Sequence, residues 1–302
     1  MTDAAGGAEA AGGAEAADGA EAAGGAAADT GAEADGSVDA EPIRRVWPAD
    51  PTLAADAHAV ASGAFDLDEI AAWYAVEDRT LPWVRANFVS SLDGSATLDG
   101  LSGGLSNTAD HAVFDVLRRL CDVVVVGAGT VRAEGYGPMR LDDESVRWRE
   151  ARGLAPHPLF ALVSARLALD PDHPLFQDAP VRPVIFTTAS APDDRCRALG
   201  QVAEVVACGE TRVDPRAMVG WLVAHGYPQV HSEGGPHLFG SMIFADQVDE
   251  LCLTLSPMLE AGDGPRISAG AAPELPTSMG LAHVLVAGDT LLLRYTRKTL
   301  PA

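Results

Sequence analysis

The chain has 302 residues, with 43 acidic against 21 basic side chains and a formal net charge of −22. A surface of that sign repels nucleic-acid phosphates and argues against a nucleic-acid role, while leaving room for a small anion in a locally positive cleft. Lys298 is the sole lysine, which nearly excludes a catalytic lysine inside the domain. The 4 cysteines show no CxxC spacing, and neither they nor the 8 histidines give a zinc pattern, so no metal site is expected.

Residues 1–41 are almost entirely Ala, Gly, Glu and Asp, with 10 acidic, no basic and no aromatic side chains. Such a segment cannot offset a backbone ordering cost of about 1–2 kcal/mol per residue, so it is expected to be a disordered acidic tail. It carries neither the basic nor the apolar region of a secretory signal. No apolar run reaches the roughly 20 residues of a membrane span. These readings predict a cytoplasmic protein with buried free thiols, whose residues 42–302 form one α/β domain.

Asp66 opens a short helix over 66–76, with Ile70, Trp73 and Tyr74 on one face. "PWVRANFVSSLDG" (82–94) reads as a strand ending in an Asp-Gly turn, in which Asp93 is a turn-former first and a proton relay second. "SNTADHAVFDVLRRL" (106–120) is a helix capped by Asn107 or Thr108, with Val113, Val116, Leu117 and Leu120 as its apolar stripe. The valine strand that follows completes a strand–helix–strand unit. Short apolar strands are predicted at 158–164, 182–188 and 203–208, and a helix at 214–226 stopped by Gly226. "PQVHSEGG" is a strand entering a glycine turn, and "PHLFGSMIFADQ" begins a helix with proline in its first turn. Segments 249–259 and 290–298 have β character with little helix between them, which suggests antiparallel additions to a mostly parallel sheet.

"VGAGTVR" places Gly127 and Gly129 after a strand, but Arg132 stands where a dinucleotide fingerprint has its third glycine. On that pattern alone, a structural turn and a phosphate site are equally open. "SEGGPHLFGS" (232–241) is a second glycine turn between strand and helix, and two such turns can present backbone N–H groups to one pyrophosphate. "SLDGSATLDGLSGGLS" (91–106) adds a third loop able to cover a flat ring.

Taken in order, SLDG (91–94), Ser102, the Leu117-Arg118 pair, VGAGTVRAE (126–134), SEGGPHLFGSM (232–242), VDEL (248–251) and SPML (256–259) resemble the pyrimidine reductase family. This is the C-terminal reductase domain of the bifunctional deaminase/reductase of riboflavin biosynthesis. The resemblance runs from about Pro82 to Tyr295, and the ligand pattern of the zinc deaminase half has no counterpart. It implies a dihydrofolate reductase-like α/β fold, with a mostly parallel central sheet, helices on both faces and antiparallel C-terminal strands. It also implies an NADPH-dependent oxidoreductase that converts the ribosyl group of 5-amino-6-(5-phosphoribosylamino)uracil to the ribityl form, and a homodimer. A dihydrofolate or other pterin reductase on the same fold and a non-catalytic nucleotide-binding homologue are the alternatives.

Carried onto this chain, the resemblance implies that Val89, Gly104, Gly127, Gly129, Thr130 and Glu134 contact the cofactor. Gly234, Gly235, Pro236, His237, Leu238, Phe239, Gly240 and Ser241 form the second turn and helix start. Ser164 and Arg166 are placed to meet the adenosine 2′-phosphate, a task that suits the paired donors of a guanidinium. Ser102, Arg118, Arg140 and Glu233 are assigned to the phosphorylated substrate; no residue is assigned as the proton donor.

Overall fold

The computed structural model describes residues 42–47 and 66–298, so the expected acidic tail over 1–41 lies outside the described residues. The first half contains β1 (Arg44–Trp47), α1 (Leu67–Tyr74), β2 (Trp83–Ser90), a 3-10 turn (Ser102–Leu105), α2 (Thr108–Leu120), β3 (Val123–Gly127), α3 (Ala128–Ala133) and α4 (Asp143–Glu150). Then come β4 (Leu159–Val163), α5 (Pro174–Gln177), β5 (Val184–Thr187), α6 (Asp193–Leu199) and β6 (Glu204–Ala207). The chain continues through α7 (Pro215–Ala224), β7 (Gln229–Ser232), α8 (Pro236–Phe244), β8 (Glu250–Leu255), β9 (Met279–Ala287) and β10 (Thr290–Arg297). None of these helices is long and apolar enough to cross a membrane.

The strands make a single sheet in the order β1-β9-β10-β8-β2-β7-β3-β4-β5-β6. From β8 to β6 every pairing is parallel, while β10 is antiparallel to both β8 and β9, and β9 to β1. The expected fold is therefore present: a mostly parallel sheet with antiparallel C-terminal strands.

Side-chain alternation along β2 sends Val84, Ala86 and Phe88 to one face, where they join Met218, Leu222, Leu238, Phe239 and Met242 of α7 and α8 in one core. On the other face Val124, Val126, Phe160 and Leu162 pack beneath the α3–α6 segments. On that same face α1 and α2 bury Ile70, Tyr74, Val113, Val116 and Leu117 against Cys252, Leu285 and Leu292. Helices thus cover both faces, and the second face is split by the helix that carries Arg118.

Local chemistry explains the helix ends. Asp66 accepts the amides of Asp68 and Glu69 at the start of α1. Asn107, rather than Thr108, caps α2 by accepting those of Ala109 and Asp110. Gly226 follows α7 at φ +87, a conformation that favours glycine.

The antiparallel part buries a histidine with consequences for stability. His283 of β9 is buried edge-on to Tyr74, with ring centroids 4.7 Å apart. Desolvation, reinforced by Arg294 and Arg45, pushes its pKa down from 6.5 to about 3. A depressed folded pKa means the unfolded chain takes up the proton first, so stability is lost as pH falls from 6.5 toward about 3. His283→Phe is expected to flatten that part of the acid limb; urea titrations at stepped pH check it, and an unchanged slope would refute the assignment.

Candidate active site

The two glycine turns meet at the carboxyl ends of β3 and β7. Gly127 N–H donates to Gly234 O at 2.9 Å, and Gly235 N–H donates to Thr130 Oγ1 at 3.1 Å. Gly234 lies at φ +102, where a side chain is strained, and a Cβ on Gly235 would stand 2.7 Å from Thr130 Oγ1. Pro236 has no N–H to spend, and no side chain caps α8. The amides of His237 and Leu238 are therefore left without helical partners at a positive helix end. Backbone donors, an uncapped helix and glycines that admit close approach are what a pyrophosphate needs, so the residues present fit a dinucleotide.

Gly240 makes room for a neighbouring loop. Its missing Cβ would lie 1.9 Å from Ala269 O, so this glycine admits the loop after β8 against α8. Phe239 likewise faces inward, packing on Phe88 with ring centroids 4.6 Å apart.

Glu233 directly precedes the glycine pair and is fully buried. Arg118, from α2, grips it through Nε–Oε1 at 2.6 Å and Nη2–Oε2 at 2.8 Å. The guanidinium also lies 4.1 Å above the Phe114 ring, one helical turn away, and 5.8 Å from the Tyr136 ring. Burial opposes the charge on Arg118, but the Glu233 carboxylate more than compensates and raises its pKa well above the ordinary value. The two residues assigned separately to the substrate are thus partners of each other.

The SLDG loop is anchored. Asp93 accepts from Ser91 Oγ at 2.5 Å and from the amides of Glu260 and Ala261 at 3.1 and 2.7 Å. The Ser91 hydroxyl, followed by those amides, holds its carboxyl at about 2. It is an ionised tie between two loops, which agrees with the turn-forming role. Ser102 is buried, and its amide donates to Glu134 Oε1 at 3.0 Å, so Glu134 braces the loop that starts at Ser102. Burial raises the Glu134 pKa against that bond. Gly104 packs on Leu98, where a Cβ would come within 3.0 Å.

Val89 is buried at the end of β2, next to β7 and β8. Ser164, at the end of β4, donates its amide to Phe186 O at 3.0 Å, and Arg166 is exposed two residues beyond. Thr187 and Thr188, at the end of β5, approach Ala165 O at 3.4 Å each, so hydroxyls line the same stretch of the sheet edge.

Arg140 is not brought to this group. Its Nη2 donates to Asp178 O at 3.0 Å, and its neighbour Leu141 donates to His157 Nδ1, two residues before β4 begins. The loop after α3 descends along the sheet and leaves Arg140 near the strand starts.

The structure adds residues that the sequence reading did not select. Asp110 of α2 is buried and accepts from Thr254 Oγ1 at 2.6 Å and from Ser106 Oγ, with desolvation raising its pKa. Asp110, Phe114 and Arg118 share one stripe of α2 by their four-residue spacing. That stripe runs from Thr254 on β8 to Glu233, which directly follows β7. His231 lies on the Glu233 side of β7, a placement that strict alternation could have revealed.

Known proteins resemble this chain in sequence and in fold. A protein of Archaeoglobus fulgidus named 2,5-diamino-6-ribosylamino-4(3H)-pyrimidinone 5′-phosphate reductase is 31% identical over 194 residues, covering 63% of this chain and 87% of its own. A Methanothermobacter thermautotrophicus protein of the same name is 29% identical over 222 residues, covering 72% of this chain and 99% of its own. The crystal structure of a pyrimidine reductase-like protein from Corynebacterium diphtheriae superposes with a TM-score of 0.67 at 27% identity, covering 72% of this chain and 93% of that one. Residues 82–293 match the model of the RibD C-terminal domain, and the chain belongs to that family.

Proposed function

We propose that this chain is the NADPH-dependent reductase of riboflavin biosynthesis, acting on a ribosylaminopyrimidine 5′-phosphate. One observation carries the reading: Glu233, gripped by Arg118, is followed at once by the glycine pair that joins the two turns. A holder for a charged, phosphorylated substrate and a holder for a dinucleotide therefore share the end of one strand. The substrate is 5-amino-6-(5-phosphoribosylamino)uracil or the 2-amino pyrimidinone for which the archaeal relatives are named. Both carry the same ribosyl 5′-phosphate.

When bound, the reduced nicotinamide supplies a hydride for C1′ of the ribosyl group. The chain's contribution is alignment and charge. The turns at Gly127 and Gly235 and the start of α8 hold the pyrophosphate, and Ser164 and Arg166 favour the 2′-phosphate that distinguishes NADPH from NADH. Arg118 binds the substrate's phosphate, Glu233 accepts from donors of its ribose or pyrimidine, and the braced loop from Ser102 closes over the reacting groups.

Gly235→Ala tests the cradle, because the new Cβ displaces Thr130 Oγ1 from 2.7 Å. The expected result is an NADPH dissociation constant raised about tenfold, or about 1.4 kcal/mol, with the melting temperature changed little. Fluorescence titration reads it, and unchanged affinity would remove the second turn from the cofactor site.

The same proposal places the enzyme in the cytoplasm as a homodimer. Leu255 of β8, Leu291, Leu293 and Tyr295 of β10, and Val284 and Val286 of β9 form a half-buried face opposite α1 and α2. A second copy meeting that face about a twofold axis would cover it. Light scattering should give twice the chain mass; a monomer at assay concentration would end the idea.

A further inference from the structure

The Glu233 carboxylate has more partners near it than it uses. Arg118 satisfies both oxygens, yet two further buried polar side chains, His231 and Tyr136, stand beside it. His231 is fully buried, and neither ring nitrogen has a hydrogen-bond partner among the described residues. Its Nε2 lies 3.6 Å from Glu233 Oε1, just outside bonding range. The Tyr136 hydroxyl, on the loop after α3, is also buried near Glu233 without a bond of normal geometry. A buried donor left unmade costs about 1–3 kcal/mol, and folded proteins keep few of them. Two around one carboxylate make physical sense if Arg118 does not hold it at all times.

The inference rests on Arg118 as the ligand of the substrate's phosphate, since that anion gives the guanidinium a second destination. The Nε–Nη2 edge now on Glu233 is the fork that suits a phosphate, and it cannot serve both. We infer that His231 and Tyr136 are positioning residues that take over the Glu233 carboxylate when Arg118 turns to the phosphate, keeping Glu233 in place for the rest of the substrate. Around the His231 ring stand Glu233 on its own strand, Arg85 on β2, Glu250 on β8 and Arg118 on α2. Tyr136 faces the same carboxylate from the α3 side. Burial, with Glu233 opposing it, holds His231 down at about 4, so the ring is neutral in the free protein. Once the Arg118 fork withdraws, the neutral ring can donate its Nε2–H to Glu233 Oε1, which lies 3.6 Å away in the free protein.

The test uses the full chain with isotope-labelled histidine, ribose 5-phosphate as the probe, and NMR near neutral pH. The His231 ring resonances, assigned by their absence from His231→Leu, should shift at saturation to those of a neutral ring protonated and hydrogen-bonded at Nε2. His231→Leu removes an unpaired buried group, so its melting temperature should hold or rise while ribose 5-phosphate affinity falls about tenfold. NADPH affinity should stay as it was. A histidine that merely packs gives the reverse, lower stability with unchanged affinity, and overturns the inference. So do ring resonances that stay fixed at saturation in the parent. No Arg118-dependent binding of ribose 5-phosphate, judged against Arg118→Gln, overturns the phosphate reading itself and this inference with it.

Discussion

Glu250→Ala is expected to lower the melting temperature by on the order of 10 °C. Glu250 is fully buried and takes two hydrogen bonds from Arg85 at 2.7 and 3.2 Å, two from Arg294 at 2.9 and 3.0 Å, one from Trp83 Nε1 at 2.8 Å and one from the Cys252 thiol at 3.3 Å. Burial alone would raise its pKa, but Arg85 and then Arg294 outweigh it and hold the carboxyl at about 2. The same guanidinium groups donate to Tyr74 O and Trp73 O, so one carboxylate links β2, β8 and β10 to the end of α1. Removing it leaves two largely buried cations uncompensated, which costs about 3–5 kcal/mol. In a domain of this size each kcal/mol moves the midpoint by about 2–4 °C. The depressed pKa also fixes the pH dependence: this contribution is complete above 4.5 and is lost as pH falls toward about 2. Calorimetry at neutral pH decides the matter; a shift of only a degree or two would show that the hub is dispensable.

Arg118→Gln carries the second large effect and separates binding from stability. With the guanidinium gone, Glu233 is a fully buried carboxylate without its main partner. The expected cost is about 3 kcal/mol or more of stability, together with a hundredfold or greater rise in KM for the phosphorylated substrate, about 2.7 kcal/mol or more. NADPH affinity should hardly change, since the glycine turns do not contact this guanidinium. The double variant Arg118→Gln/Glu233→Gln removes both charges and should recover most of the stability while leaving substrate binding lost. Recovery of both would make the pair purely structural, and equal loss of NADPH and substrate affinity would take Arg118 out of the substrate site.

Much of the architecture is legible in the sequence because the main elements carry strong local patterns. The valine run of β3, the Asn107 cap with its apolar stripe in α2, and the Asp214 and Gly226 bounds of α7 each state their structure locally. The elements that escape notice lack such signals. α4 buries only Ser145 and Arg149 and has no apolar stripe. β9 contains Gly280 and His283 within its run, and β1 has only four residues, so both owe their state to pairing with partners distant in sequence. The glycine turns are equally readable, since Gly234 and Gly235 are dictated by backbone conformation and close approach.

Pairing between side chains is not readable in that way. Arg118 and Glu233 are 115 positions apart, and only the folded sheet shows that they satisfy each other. Arg140 illustrates the converse: its place in "YGPMR" puts it near a site motif, but the loop carries it down the sheet to Asp178. Tyr136, in the same stretch, has no sequence signal that distinguishes it from a core aromatic.

The most direct test of the proposed activity follows NADPH oxidation with the purified chain, offering the two ribosylaminopyrimidine 5′-phosphates and dihydrofolate in parallel. The expected result is turnover of a ribosylaminopyrimidine phosphate to its ribityl product, NADPH preferred over NADH, and no reaction with dihydrofolate. Turnover of dihydrofolate alone would keep the cofactor site and overturn the substrate. NADPH binding without oxidation of any of the three would contradict the assignment of this chain as the riboflavin-pathway reductase.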